Sequence, residues 1–179
     1  GTVIIDKKTY ELDTDGSLKD YTPKKKSSKK KSSGKSDTSD KSGTSTAKKS
    51  VALTFDDGPD RKCTPLLLDG LKERGVHATF FLMGSNIEGK EDIVKRMSEE
   101  GHLIGNHSYE HIQLTKAGAE AVCEAVEHTQ EQIEAITGKR PEYIRPPYGD
   151  WNEELEEEIG MSPVLWSVDS LDWKLKDKG

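Results

Sequence analysis

The sequence predicts an α/β fold of parallel βα units over residues 51–179, and three observations point to it. Short apolar runs of strand length alternate with stretches of helical period, an order that fits neither a helical bundle nor a β-sandwich. Gly75, Gly101, Gly138 and Gly160 close the helical stretches. Each polar cluster of interest follows the C-terminal end of a predicted strand, and in a parallel barrel those ends converge on one face.

Residues 51–55 form the first predicted strand and run into an Asp-Asp-Gly-Pro turn at 56–59. Residues 64–74 read as a helix with Leu66, Leu67, Leu68 and Leu71 inward. The second strand covers 78–83, followed by a helix over 90–100 with Ile93, Val94 and Met97 at helical spacing. A short strand at 102–105 leads into Asn106-His107-Ser108. A long helix over 115–137 buries Val122, Ala125, Val126, Ile133 and Ile136. The strand at 143–145 breaks at Pro146-Pro147, Asn152 caps a helix over 153–159, and 164–168 is the last clear strand.

Composition divides the 179-residue chain, of net charge −6, into three unlike segments. Residues 1–23 carry three Lys and five acids and alternate apolar and polar residues around Asp6-Lys7-Lys8, a β-hairpin signal. This segment resembles one unit of the cell-wall-binding repeats of Gram-positive surface enzymes. Residues 24–50 carry ten Lys against Asp37 and Asp40, with Ser, Thr and Gly and no large apolar residue, so a disordered linker is expected. It has no aromatics for base stacking and no basic fold beside it, which argues against nucleic acid. Contact with an anionic wall polymer or acidic lipid surface fits its charge better. Residues 51–179 hold 14 basic and 26 acidic residues.

Cys63 and Cys123 form neither a disulfide framework nor a metal-type pairing, and read as small buried residues or partly exposed thiols. No signal peptide or membrane-spanning run is visible in a sequence that begins at Gly1, which leaves an upstream export segment open.

Asp56 and Asp57 sit where a strand meets a turn, and neighbours on a strand point to opposite faces. Two different roles are therefore expected of them, the alternative being an ordinary Asp-Asp-Gly-Pro turn. His107 and His111 are four apart, one turn if the segment is helical, so both imidazoles can face one cation. With Asp57 they compose a two-His, one-carboxylate set suited to Zn²⁺ or another divalent first-row metal; the alternative is a chance pair on a solvent face. No His-Glu-x-x-His is present, which argues against a metalloprotease. His77, His102 and His128 read as ordinary. In Arg145-Pro146-Pro147-Tyr148-Gly149 two prolines stiffen the chain, so that Arg145 could orient Asp56 and the Tyr148 N–H could face an oxyanion. The alternative is a strand terminator with a surface Arg. Asp169 to Trp173 offers two acids and an aromatic wall, or else a capping turn and a core Trp.

Thr54-Phe55-Asp56-Asp57-Gly58-Pro59, His107-Ser108-Tyr109-Glu110-His111, Arg145 to Gly149 and Asp169-Ser170-Leu171-Asp172-Trp173, in that order, resemble the polysaccharide deacetylases of the NodB type (carbohydrate esterase family 4). The style is closest to bacterial peptidoglycan N-acetylglucosamine deacetylases. The resemblance covers residues 51–179 and implies a distorted (β/α) barrel. It implies that Asp57, His107 and His111 bind a divalent metal, Zn²⁺ first, with Co²⁺ or another first-row ion as alternatives. Asp56 is then the general base for a metal-bound water, with Arg145 orienting it. Tyr148, Pro147 and Trp173 belong to the substrate and oxyanion side. Asp172 would tune a His from a Leu-x-His motif that protonates the leaving amine. No His follows Asp172 here, so the chain reads as a C-terminally truncated record of a longer enzyme, with open sheet edges and slow or absent turnover expected.

The implied activity is removal of N-acetyl groups from peptidoglycan, or from chitooligosaccharide, by an extracellular or envelope-associated monomer. Two other readings stand beside it: an envelope sugar-binding protein with little turnover, and a glycoside hydrolase using Asp56 and Asp172 as its acid pair.

Overall fold

The computed structural model describes residues 2–5, 8–11 and 51–175. Thr2–Ile5 (β1) pairs antiparallel with Lys8–Glu11 (β2), with Thr2 opposite Glu11 and Ile5 opposite Lys8. This is the expected hairpin; its closing Asp15-Gly16 and the whole 24–50 linker lie outside the described residues.

From residue 51 onward the predicted βα alternation folds as one parallel sheet. Its strands are Thr54–Asp56 (β3), Thr79–Leu82 (β4), Leu103–Asn106 (β5), Tyr143–Ile144 (β6) and Ser162–Pro163 (β7). They lie side by side in chain order, all parallel. Sequential order without a switch point is the order of a (β/α) barrel wall rather than of a doubly wound sheet. Helices fill the crossovers: Cys63–Glu73 (α1), Gly84–Ile87 (α2), Glu91–Glu99 (α3), Ala119–Thr137 (α4) and Glu153–Ile159 (α5), with Asp172–Leu175 (α6) after the last strand. No helix among the described residues is long and apolar enough to cross a membrane.

Two apolar clusters hold these layers together. Leu68, Leu71, Phe80, Leu82, Ile87, Ile93, Val94 and Met97 join α1, β4, α2 and α3, with Ile133 of α4. Leu114, Val122, Val126, Ile144, Leu155 and Met161 join α4, β6 and α5. Helix ends follow the expected signals: Asn152 Oδ1 accepts from the Leu155 N–H at 2.9 Å, and Gly138 closes α4 at φ 71°, donating to Glu134 O.

Several boundaries differ from expectation. The first strand starts at Thr54, and Val51 and Leu53 are exposed. Leu66 points outward, because at about 100° per residue it lies about 200° from Leu68 around the helix axis. Helix α4 begins at Ala119, since Leu114–Lys116 is a separate 3₁₀ turn and Gly118 is extended. Ala125 and Ile136 are half-buried. Residues 164–168 are not a strand: β7 ends at Pro163, one further bond links Val164 N to Ile144 O at 2.8 Å, and Val168 is exposed. The cause lies in β6, whose ladder stops where Pro146 and Pro147 have no N–H to offer. Helix α2 was not anticipated, one turn being too short for a periodic signal.

Candidate active site

Register places the site. Asp56 lies opposite Phe81, Leu82 opposite Asn106, and Asn106 opposite Ile144. Asp57, His107 and Arg145 are the residues that follow the ends of β3, β5 and β6, so they emerge on one rim of the sheet.

One ligand atom from each of Asp57, His107 and His111 falls within 4.8 Å of the others. His107 Nε2 is 3.3 Å and His111 Nε2 3.8 Å from Asp57 Oδ1. The two rings meet edge to face, with centroids 4.9 Å apart. His107 is buried, His111 half-buried and the Asp57 side chain largely exposed, so the cluster is closed behind and open in front. The expected helical turn between the histidines does not form, because Ser108 (φ 60°) and His111 (φ 56°) are left-handed. Asp57 (φ 69°) and Tyr148 (φ 62°) share that conformation, which costs a non-glycine residue about 1–3 kcal/mol. Such positions persist where surrounding bonds impose them.

The donor set fits a divalent first-row ion. The hydrogen bond from His107 and the charges of both histidines hold the Asp57 carboxyl below its ordinary range, against an opposing effect of burial. Burial, then the neighbouring His107, push the His111 imidazole down, favouring its neutral, lone-pair form. His107 Nδ1 lies 2.6 Å from the Arg145 carbonyl oxygen, which can only accept, so Nδ1 carries a proton; Nε2 donates to Asp57 when the ring is charged and offers its lone pair to an ion when the ring is neutral.

Arg145 is buried and far from a surface residue. Its Nη1 donates to Asp56 Oδ1 at 2.8 Å and to Thr54 Oγ1 at 2.7 Å, and its Nε donates to Val164 O at 3.0 Å. Its Cζ sits 4.3 Å from the centroid of the Phe81 ring. The two adjacent aspartates therefore part ways: Asp56 turns to Arg145, Asp57 to the histidines.

Pro147 opens a 3₁₀ turn through Gly149 and is buried. The Tyr148 ring lies 4.6 Å from His111 and is largely exposed, and its backbone N–H makes no hydrogen bond among the described residues. Asp172 and Trp173 stand apart from this assembly. Asp169 Oδ1 accepts from Leu171 N, Asp172 accepts from Ser170 Oγ, and Trp173 is exposed. Among the described residues no hydrogen bond or ring contact joins either to the cluster. Cys63 and Cys123 are free and exposed. His102 accepts from Ala78 N, His77 meets it edge-on, and His128 lies against Tyr109.

Sequence reasoning passed over three supporting residues. Asn106 accepts from Ser108 N at 2.7 Å and donates to Val126 O at 2.8 Å, both fully within the protein. Asp150 accepts from Gln113 Nε2 and Thr115 Oγ1, tying the loop after His111 to the loop after Tyr148. Asn86 bonds the Asp57 carbonyl. An amide directly before His107 was the one local signal available.

The polysaccharide deacetylase family profile matches residues 43–163. A peptidoglycan-N-acetylglucosamine deacetylase of Listeria monocytogenes is 47% identical over 131 residues, 73% of this chain and 28% of that protein. The structure of the peptidoglycan deacetylase PdaC of Bacillus subtilis superposes with a TM-score of 0.69 at 44% identity, covering 71% of this chain and 63% of that one. A family 4 carbohydrate esterase of Streptomyces lividans, solved with acetate, superposes with a TM-score of 0.65 at 36% identity, covering 69% and 65%. This chain thus spans well under half the length of the Listeria relative. The chain belongs to the polysaccharide deacetylase family.

Proposed function

We propose that this chain is a metal-dependent hydrolase that removes N-acetyl groups from N-acetylglucosamine units of peptidoglycan. One observation carries the reading: the Asp57, His107 and His111 cluster shares a rim with an Asp56 carboxylate that a buried Arg145 holds at 2.8 Å. The Listeria and Bacillus relatives, both peptidoglycan deacetylases, support peptidoglycan as the substrate class.

Asp57, His107 and His111 would hold the ion, Zn²⁺ by the character of two imidazoles and a carboxylate. When bound, it supplies Lewis acidity to a water and to the N-acetyl carbonyl. Asp56 takes the proton of the attacking water, and Arg145 keeps the accepting oxygen aimed. The Tyr148 N–H donates to the oxygen that becomes negative as the carbonyl carbon turns tetrahedral. Pro147 stiffens the turn that presents this N–H. A C–O bond forms, the amide C–N bond breaks, and acetate and a free amine leave. The proton that Asp56 accepted returns to that amine as it leaves. The Lys-rich segment, net +8, draws the protein to an anionic cell envelope, where it works as a monomer.

The test measures acetate and free amine released from N-acetylated peptidoglycan and from chitooligosaccharide, with Zn²⁺ and with excess chelator. Equal acetate and amine that vanish with chelator and return with Zn²⁺ are expected. Chelator-insensitive formation of new reducing ends would instead identify a glycoside hydrolase. Sugar binding without release of either product would identify a binding protein.

A further inference from the structure

We infer that Asn86, on the one-turn helix α2, is a positioning residue for the metal centre, and that the 83–86 segment sets the spacing between its two ligand-bearing loops. The inference rests on the metal reading of the Asp57, His107 and His111 cluster.

Both loops latch onto this segment. Asn86 Nδ2 donates to Asp57 O at 2.6 Å, and Met83 N donates to Gly58 O at 3.2 Å, which holds the loop after β3. Gly84 N donates to Ser108 O at 3.1 Å and Ser85 N to Tyr109 O at 3.0 Å, which holds the loop between the two histidines. Two of the four carbonyls belong to Asp57 and Ser108, both left-handed without being glycine. A conformation of that kind lasts only where its surroundings over-determine it. For Asp57 the side-chain amide of Asn86 is the bond that does so at the carbonyl.

The segment is itself firmly seated. Ile87 is buried in the core cluster of α1, β4 and α3. A Cβ on Gly84 would stand 2.4 Å from Thr129 Oγ1 and 2.5 Å from Tyr109 Cδ2, so glycine alone allows the chain to approach this closely. Without the Asn86 donor, the Asp57 peptide is free to rotate toward an ordinary negative φ, which swings its carboxylate away from His107 and His111. The fold does not depend on that bond, since Asn86 is partly exposed and the clusters that hold the sheet lie elsewhere.

The experiment titrates Co²⁺ into the whole chain and records affinity and visible absorption, alongside far-UV circular dichroism and melting of the metal-free protein. Asn86→Ala and the isosteric Asn86→Asp are compared with wild type and with Lys95→Ala, a surface control. Both Asn86 variants are expected to bind Co²⁺ about tenfold or more weakly, the range of outer-shell changes, with an altered spectrum and a metal-free melting curve close to wild type. Asn86→Gln, which keeps the amide donor, recovers part of the affinity. Wild-type affinity and spectrum in both variants would overturn the inference, as would an affinity loss that in both merely tracks loss of the metal-free fold. A wild-type chain that takes up no Co²⁺ would overturn the metal reading itself, and this inference with it.

Discussion

His107 Nδ1 donates to the backbone carbonyl of Arg145 at 2.6 Å, while the guanidinium of the same Arg145 holds Asp56 at 2.8 Å. One residue thus sets the tautomer of a proposed metal ligand with its main chain and the aim of the proposed base with its side chain. The two halves of the chemistry are coupled through the end of β6, and a change there should disturb both.

That coupling separates the aspartates. Asp56→Asn should lower acetate release by about 10²–10⁴-fold, the usual share of a general base, while Zn²⁺ affinity stays close to wild type. Asp57→Ala should abolish turnover through metal loss, lowering Zn²⁺ affinity by more than the about 10–100-fold of outer-shell changes. Parallel calorimetric titration and acetate assay check both; equal metal loss in the two variants would refute the division of roles.

Arg145→Met leaves Asp56 without its cation and removes a fork that also serves Thr54 and Val164. Arg145 is buried but Asp56 is exposed, so the loss is that of charged hydrogen bonds, about 1.5–3 kcal/mol, read from denaturant midpoints. Arg145→Lys should recover only part of it, since an ammonium cannot reach the three acceptors in the geometry of a planar guanidinium.

His102 is buried at the opposite, N-terminal end of β5, and burial, then the charge of His77, push its imidazole below the ordinary value of 6.5. Above that value both folded and unfolded chains hold it neutral and it has no effect on stability. As pH falls below it the unfolded chain takes the proton first, so stability declines, by at most about 1.4 kcal/mol per pH unit from this group. The metal-free protein should therefore lose stability between about pH 7 and pH 5. His102→Asn, which keeps an acceptor for Ala78 N, should flatten the decline. An unchanged slope would show that His102 does not carry the effect.

Asn152→Ala removes the side-chain acceptor for Leu155 N at the start of α5. A loss of about 1 kcal/mol is expected in equilibrium unfolding, with metal binding unaffected because α5 bears no site residue.

Much of this was legible in the chain itself. Alternating periods named the βα order, because strand and helix periodicities differ by enough to read directly. Asp56-Asp57, His107 and Arg145 were visible because each follows an apolar run, and His111 because it lies four residues after His107; the register then brings those strand ends together. The structure was needed for what depends on neighbours remote in sequence. Of the left-handed positions, Ser108 and Tyr148 are residue types that do not favour that conformation, and Asp57 and His111 are types that adopt it only in a minority of cases, so no local rule announces them. The end of the last strand at Pro163 followed from the prolines of its partner rather than from its own apolar residues. Asn86 and Asn106 act through bonds to backbone atoms 29 and 20 residues away, contacts that no spacing encodes. The sequence by itself determined which side chains and which alternation of elements the protein has, since period and residue chemistry are local properties. The tertiary structure alone decided that Asp56 faces Arg145 and Asp57 faces the histidines, because that choice is made by the carbonyl and buried guanidinium of Arg145, at the end of β6, and the carboxamide of Asn86, on α2.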